Sequence, residues 1–163
     1  VSPKKDGLSV LTEADLRASG VAWTALRNQW YADGIVSDAE RMVAAGSVTV
    51  NPNERGTAYV TREDCAAAAA AVLTTPGHEN RIYEVTGPAL VYRSDVARIA
   101  SELAGVPVEI RVATPEEVAA MPEEQPAGET LSTHVADLTG RPGTTARQLL
   151  EANARRLIAA RPR

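Results

Sequence analysis

The stretch VAWTALRNQWY, residues 21–31, decides the fold class, because it joins two helical patterns through one strand. Its apolar first half, Val21–Leu26, predicts the strand. Before it, Glu13–Ser19 has the pattern of a helix with Thr12 as N-cap, and after it Ile35–Ala45 carries apolar residues at helical spacing. A helix, a strand and a helix in direct succession predict an α/β fold.

The alternation continues to the end of the chain. Further strands are predicted at Ser47–Val50, Arg81–Val85 and Val106–Val112, with a shorter extended piece at Thr57–Val60. Helices are predicted to begin at the capping signals Thr61, Ser94, Thr114 and Thr145, the last running to about Ala160. Few, mostly parallel strands with flanking helices are therefore expected, in one domain over residues 1–163.

One segment breaks this order. Residues 121–130 hold two prolines, a glycine and three glutamates, so a flexible loop or linker is predicted there.

Charge and composition exclude several function classes. Seventeen Lys and Arg against 21 Asp and Glu give a net charge of −4, which disfavours nucleic-acid binding. The longest apolar run, Cys65–Leu73, is too short to span a bilayer, and Val1–Val10 lacks a secretory pattern, so a cytoplasmic location without membrane binding is expected. The single cysteine and the scattered His and carboxylates predict no disulfide and no metal site.

Three motifs stand out: the stretch LRASGVAWTALRNQWY at residues 16–31, the pair YVTREDCAA and PGHENRIYEVTG at residues 59–67 and 76–87, and LTGRP with TT at residues 138–145. They resemble the atypical short-chain dehydrogenase/reductase proteins of the NmrA-like and NAD(P)H:quinone oxidoreductase group. Together they cover about residues 12–158 in the family's order.

The resemblance implies the C-terminal half of a Rossmann-like fold. In that family the other half carries the glycine-rich nucleotide loop, and none of the 11 glycines here shows a G-x-G-x-x-G spacing. NADP is thus implied as the cofactor, with weak or absent binding by this chain alone. A half-sheet exposes an unpaired edge, so we expect a homo-oligomer or a complex with a separate nucleotide-binding chain.

The family also implies the site. Asn28, Gln29, Trp30 and Tyr31 would line the cofactor side of the cleft, and Trp30, Tyr31 and Tyr59 would bind a small-molecule substrate. Gln29 stands where the family commonly has glycine, which narrows the pocket. The alternative is that Trp30 and Tyr31 only pack the junction between strand and helix, while Arg27 pairs with Asp33 or Asp64.

No catalytic residue can be assigned from the sequence. The Tyr-x-x-x-Lys pair of ordinary short-chain dehydrogenases is absent, since the only lysines are Lys4 and Lys5. His78 is expected to be an exposed loop residue, Cys65 a buried core cysteine and Asp64 a capping carboxylate.

Two function classes remain open. One is a protein related to NAD(P)-dependent oxidoreductases, with a quinone or aromatic ketone as substrate, working as a fragment or subunit. The other is a cofactor-free protein that binds a polycyclic or quinone-like molecule, or acts on it as a cyclase or isomerase.

Overall fold

The computed structural model describes residues 7–121 and 130–162. Along the chain the elements are α1 Gly7–Ala18, β1 Thr24–Asn28, α2 Asp33–Ala45, β2 Ser47–Val50, α3 Arg62–Thr74, β3 Arg81–Val85, α4 Arg93–Ala104, β4 Glu109–Val112, α5 Pro115–Ala120, α6 His134–Thr139, α7 Ala146–Ala152 and α8 Ala154–Ala159. The α/β class is confirmed. The loop predicted at 121–130 lies, apart from its two end residues, outside the described residues.

The described strands form two parallel pairs. In the first pair β1 lies beside β3, with Leu26 opposite Tyr83. In the second β2 lies beside β4, with Val48 opposite Ile110. Parallel neighbours need a long crossover connection. Here the connection from β1 to β3 contains α2 and α3, and the connection from β2 to β4 contains α3 and α4. The prediction of few parallel strands with flanking helices is confirmed.

A large apolar cluster, which we call the α2–α4 core, joins the second strand pair to α2, α4, α7 and α8. On α2 the buried residues are Ile35, Val36, Ala39, Met42 and Val43, the same residues that the helical spacing predicts to face inward. Leu150 of α7 and Leu157 of α8 are completely buried against them. Each such side chain contributes about 1.5–3 kcal/mol of hydrophobic stabilisation.

A smaller cluster covers one face of the first strand pair. Its buried members are Val60, Cys65, Ala68, Val85 and Val135, contributed by α3, α6 and β3 with the segment before α3. The alanines of α3 let that helix approach closely, and Cys65 is a buried core thiol as predicted. Burial raises the pKa of this thiol to about 11, which makes it a poor nucleophile.

Some predicted boundaries are wrong. The first helix begins at Gly7, five residues before the predicted cap Thr12, because nothing in 8–11 interrupts the helical pattern. The first strand begins at Thr24 rather than Val21, because its partner strand starts only at Arg81, which lies opposite Thr24.

Three further elements differ from the prediction. Helix α4 begins after Tyr92, whose N–H donates to Asp95 at 3.3 Å, so the predicted cap Ser94 lies inside the helix. The predicted C-terminal helix is divided at Asn153, whose Nδ2 donates to the carbonyl of Leu149 at 2.8 Å. Helix α6 was not predicted, because six residues carry too short a pattern.

Candidate functional site

The candidate site lies where β1 and β3 end, at the carboxyl edge of the first strand pair. Open parallel sheets bind their ligands beyond this edge. After β1 the backbone is held in place from both sides: the N–H of Gln29 donates to Val85 at 2.9 Å, and the N–H of Val60 donates to Trp30 at 2.9 Å. Hydrogen bonds to β3 on one side and to the segment before α3 on the other therefore fix the backbone of residues 29–31, as a ligand site requires.

A glycine brings the end of β3 against the same region. The N–H of Gly87 donates to the carbonyl of Ala58 at 3.2 Å. A Cβ at Gly87 would lie 1.9 Å from the carbonyl oxygen of Tyr59. Only glycine allows this approach, so the loop after β3 packs directly on the segment that carries Tyr59.

Asn28 and Tyr31 form a polar and aromatic surface at this edge. The amide Nδ2 of Asn28 lies 3.5 Å from the hydroxyl of Tyr31, whose side chain is 38% exposed. The guanidinium of Arg62 lies 5.0 Å above the Tyr31 ring, and its Nε donates to Asp33 at 3.1 Å. The ring is thus oriented by a cation–π contact of about 0.5–1 kcal/mol and leaves part of its surface open.

Two buried amide oxygens lie side by side in the sequence without a donor. They are Oδ1 of Asn28 and Oε1 of Gln29, and the side chain of Gln29 is only 5% exposed. Buried polar atoms in folded proteins are almost always hydrogen-bonded. Oxygens left free at a ligand-binding edge can accept hydrogen bonds from a bound molecule.

Trp30 is half-buried, and it is not among the residues that pack against either apolar cluster. Its indole therefore differs from an ordinary core aromatic side chain. A half-open indole beside Tyr31 can supply a stacking surface for a flat ring.

Tyr59 is placed differently. Its half-buried ring packs against the α2–α4 core and lines, with Ile35 and Pro88, a cavity of about 30 Å³. Burial raises the pKa of its hydroxyl, and a hydrogen bond with Thr57 opposes that effect. The structure thus joins Tyr59 to the site by its backbone, while its hydroxyl is occupied with Thr57.

Arg27 pairs with neither Asp33 nor Asp64, the partners that the packing alternative gave it. Arg27 donates to Glu13 of α1 at 2.7 Å and to Glu84 of β3 at 2.6 Å, and these bonds raise the pKa of its guanidinium. It points to the face of the strand pair opposite the smaller cluster, since Leu26 belongs to that cluster and side chains alternate along a strand. Arg27 is therefore a link between β1, β3 and α1.

Asp64 caps α3, as predicted, and does more. Its carboxylate is completely buried and accepts from the hydroxyl of Thr61 and the N–H of Thr144, both at 2.8 Å, while Arg141 lies 2.8 Å from its other oxygen. Burial by itself raises the pKa of this carboxyl, but the bonds from Thr144, Thr61 and Arg141 outweigh it and lower the pKa. Asp64 thus holds the loop before α7 to α3.

The prediction of an exposed His78 is wrong. His78 is half-buried, and its Nδ1 lies 2.7 Å from the hydroxyl of Tyr83. His134, the other histidine, stands edge-on to the same Tyr83 ring and accepts the N–H of Glu84 through Nδ1 at 2.9 Å. Sequence patterns could not find this group, because the two histidines lie 56 positions apart and meet only through β3.

The two edges of the first strand pair are unequal. The outer edge of β3 is covered, since His134 accepts from the N–H of Glu84 and the hydroxyl of Ser132 donates to its carbonyl. The outer edge of β1 has no strand beside it in the described chain. Of the ten residues in the pair only Val85 is fully buried, and a cleft of about 760 Å³ opens beside Trp23 and Ile82.

Two other kinds of site lack support in the described residues. Among the described residues, 7–121 and 130–162, no group of three or more His, Cys, Asp or Glu side chains could hold a metal ion. None of the described helices is long and apolar enough to cross a membrane.

Comparison with known proteins finds reductases. The chain is 32% identical to the NAD(P)H azoreductase of Xenophilus azovorans over 96 residues, which are 59% of this chain and 34% of that protein. It is 38% identical to Quinone oxidoreductase 2 of Escherichia coli strain K12 over 76 residues, which are 47% of this chain and 27% of that protein. No protein-family model matches the chain.

The fold is found in the same kind of protein. The crystal structure of the Citrobacter sp. triphenylmethane reductase complexed with NADP(H) superposes with a TM-score of 0.73 at 27% identity, covering 91% of this chain and 58% of that one. The chain matches about a third of the length of these curated relatives by sequence, and somewhat over half of the solved structure. Such partial coverage fits a chain that corresponds to one half of a larger fold.

Proposed function

We propose that the chain belongs to the NmrA-like and NAD(P)H:quinone oxidoreductase group of atypical short-chain dehydrogenases/reductases, because about half of it is similar in sequence to an NAD(P)H azoreductase and to a quinone oxidoreductase. From this premise we propose that it forms the nicotinamide and substrate side of an NADP-dependent reductase for quinones or similarly flat aromatic acceptors. The observation that carries the proposal is the carboxyl end of β1, where two consecutive residues, Asn28 and Gln29, each have a buried amide oxygen without a donor and are followed by the partly open rings of Trp30 and Tyr31.

The residues present fit one end of NADP. Asn28 and Gln29 offer buried hydrogen-bonding groups to a polar ring, and Trp30 and Tyr31 offer surfaces for stacking. For the pyrophosphate the chain has no G-x-G-x-x-G turn, although such a turn and the helix after it normally supply the N–H groups that hold the phosphates. The phosphates therefore need a second, nucleotide-binding half, on the same polypeptide or on another one.

The free edge of β1 is suited to receive that half. A parallel strand inside a Rossmann-like sheet is hydrogen-bonded on both sides and buried on both faces. Here β1 has one strand neighbour in the described chain, and none of its five residues is fully buried. A strand from the nucleotide-binding half would complete the ladder and would bring the phosphate loop to the same carboxyl edge.

The chain's own residues then have separate tasks. The nicotinamide cofactor would supply the two electrons for the reduction. Asn28 would orient the hydroxyl of Tyr31, which lies 3.5 Å from its amide, and the indole of Trp30 would exclude water from one side of the acceptor. Arg62, 5.0 Å above the Tyr31 ring, would favour an acceptor that gains negative charge.

The second candidate is the cofactor-free binding protein, cyclase or isomerase. The partly open rings of Trp30 and Tyr31 favour it, since the same aromatic surface could bind a polycyclic molecule without NADP. The two candidates differ in whether a nucleotide-binding half restores NADPH-dependent reduction.

Quinone binding can be tested with the chain's two tryptophans, Trp23 and Trp30. In the variant Trp23→Phe, a soluble benzoquinone should quench Trp30 fluorescence saturably. In the variant Trp30→Phe, the remaining Trp23 lies at the opposite end of the strand pair and should show only linear, collisional quenching. Saturable quenching of Trp23 alone would refute the proposed substrate site.

The cofactor part needs a second titration. The chain alone should not bind NADPH at micromolar concentration, whereas the chain joined to its nucleotide-binding half should bind NADPH and reduce the quinone. Reduction of the quinone by the joined protein decides for the reductase, and quinone binding without reduction decides for the cofactor-free candidate.

A further inference from the structure

We propose that Gln29 recognises the carboxamide group of the nicotinamide ring by pairing amide with amide, so that it selects for ligands with a primary amide. The inference rests on the proposed function. Its starting point is the state of the Gln29 side chain, which is 5% exposed, has no donor at Oε1 and has no hydrogen-bond partner at Nε2 among the described residues.

The unsatisfied Oε1 of Gln29 is one of few such atoms in the described part of the chain. Only three buried side-chain atoms of the described residues lack a hydrogen bond: Oδ1 of Asn28, Oε1 of Gln29 and Oδ1 of Asp64. The Asp64 oxygen is compensated by Arg141 at 2.8 Å. The two atoms that remain without compensation belong to consecutive residues at the carboxyl end of β1, the end at which α/β sheets bind ligands.

The two ends of the Gln29 amide, the acceptor Oε1 and the donor Nε2, limit the class of ligand that can bind to both. A glutamine amide offers one acceptor and an N–H donor in a fixed plane. A quinone carbonyl or a phosphate can satisfy the donor end only. A primary amide satisfies both ends at once, because its own N–H meets Oε1 while its carbonyl accepts from Nε2. A nicotinamide ring carries such an amide.

The backbone that carries this side chain is fixed, and the side chain itself is 5% exposed. The N–H of Gln29 donates to Val85 at 2.9 Å, and the carbonyl of the next residue, Trp30, accepts from Val60 at 2.9 Å. The backbone of Gln29 is thus bound to β3, and the backbone of Trp30 is bound to the segment before α3. A pre-positioned group loses little conformational freedom when it binds.

The test uses the chain as it is, with two probes and NMR detection. Nicotinamide mononucleotide carries the primary amide, and its 3-acetylpyridine counterpart has a methyl group in place of the amide nitrogen. Both are titrated at millimolar concentration into the isotope-labelled chain, into Gln29→Met and into the control Gln148→Met, which makes the same change at an exposed position on α7.

We expect both probes to shift the backbone amides of residues 28–31. The wild-type chain and Gln148→Met should prefer the amide probe about tenfold, the ratio given by one net hydrogen bond, and Gln29→Met should lose the preference. The side-chain NH₂ signals of Gln29 in the wild-type chain should move with the amide probe and stay in place with the acetyl probe, which makes the test independent of how the variant folds.

Two results would overturn the inference in different ways. Equal binding of the two probes, with unmoved NH₂ signals of Gln29 and shifted backbone amides at 28–31, would refute the role of Gln29 and leave the proposed function intact. Unshifted backbone amides at 28–31 with both probes would refute the nicotinamide site itself, and the inference with it.

Discussion

The α2–α4 core and the β1–β3 pair differ in how complete they are. The α2–α4 core buries fifteen residues from helices and strands on several sides. The β1–β3 pair is covered on one face by α3 and α6, and its outer β1 edge has no strand neighbour in the described chain. The difference separates stability from function: the first region stabilises the chain, while the second is the region that, by our proposal, a nucleotide-binding half would complete.

The largest effect should come from the α2–α4 core. Leu150→Ala and Leu157→Ala remove completely buried side chains, so each should lower the free energy of unfolding by about 2–5 kcal/mol. Ile158→Ala, next to Leu157 but 44% exposed, is the control and should cost much less. Urea unfolding measures both. Equal losses for Leu157→Ala and Ile158→Ala would contradict the burial pattern.

A smaller loss is expected at the junction of the two regions. Asp64→Asn keeps the shape of the side chain but weakens the bonds to Thr61, Thr144 and Arg141, so it should cost about 1–3 kcal/mol. Because the folded-state pKa of Asp64 is lowered, its contribution is complete above the ordinary carboxyl pKa and is lost as the pH falls through the folded value.

The difference in unfolding free energy between wild type and Asp64→Asn should therefore be constant near neutral pH and shrink below about pH 4. Urea unfolding as a function of pH measures it. A difference that grows on acidification would mean that Asp64 is not held as a carboxylate.

The smallest effect on stability should come from the exposed segment before β1, which lines the cleft beside Trp23 and Ile82. Val21→Glu places a charge on a residue that is 59% exposed, so the chain alone should change by no more than about 0.5 kcal/mol. Association with the nucleotide-binding half should nevertheless weaken at least tenfold. Leu73→Glu, at an 84% exposed position on α3, is the control and should leave association unchanged.

Equal effects of these two substitutions on association would exclude the Val21 side as the contact surface. Light scattering of the chain alone measures whether the chain forms a dimer. A second copy that pairs with the same β1 edge would appear as a dimer that dissociates on dilution.

Sequence patterns predicted the α2–α4 core better than the site. The apolar positions of α2 could be identified because five residues repeat at helical spacing. The N-caps Thr61, Thr114 and Thr145 could be identified because each hydroxyl accepts a bond only three residues away. Local interactions of this kind leave a mark in the sequence.

The features that were missed depend on distant segments. Arg27 is bound by Glu13 and Glu84, which lie on α1 and β3, and no spacing rule connects them. The unsatisfied amides of Asn28 and Gln29 could not be predicted, because the lack of a partner is a property of the packed structure. The residues themselves were found through family resemblance alone.

Amide hydrogen exchange along β1 tests the central claim most directly. The N–H of Gln29 points to β3, so the two-residue period of a strand directs the N–H groups of Ala25 and Arg27 to β3 and those of Leu26 and Asn28 to the open edge. In the chain alone we expect Leu26 and Asn28 to exchange at least tenfold faster than Ala25 and Arg27, and to become protected when the nucleotide-binding half is added. Equal protection of all four amides in the chain alone would show that the edge is already covered, which would contradict the account.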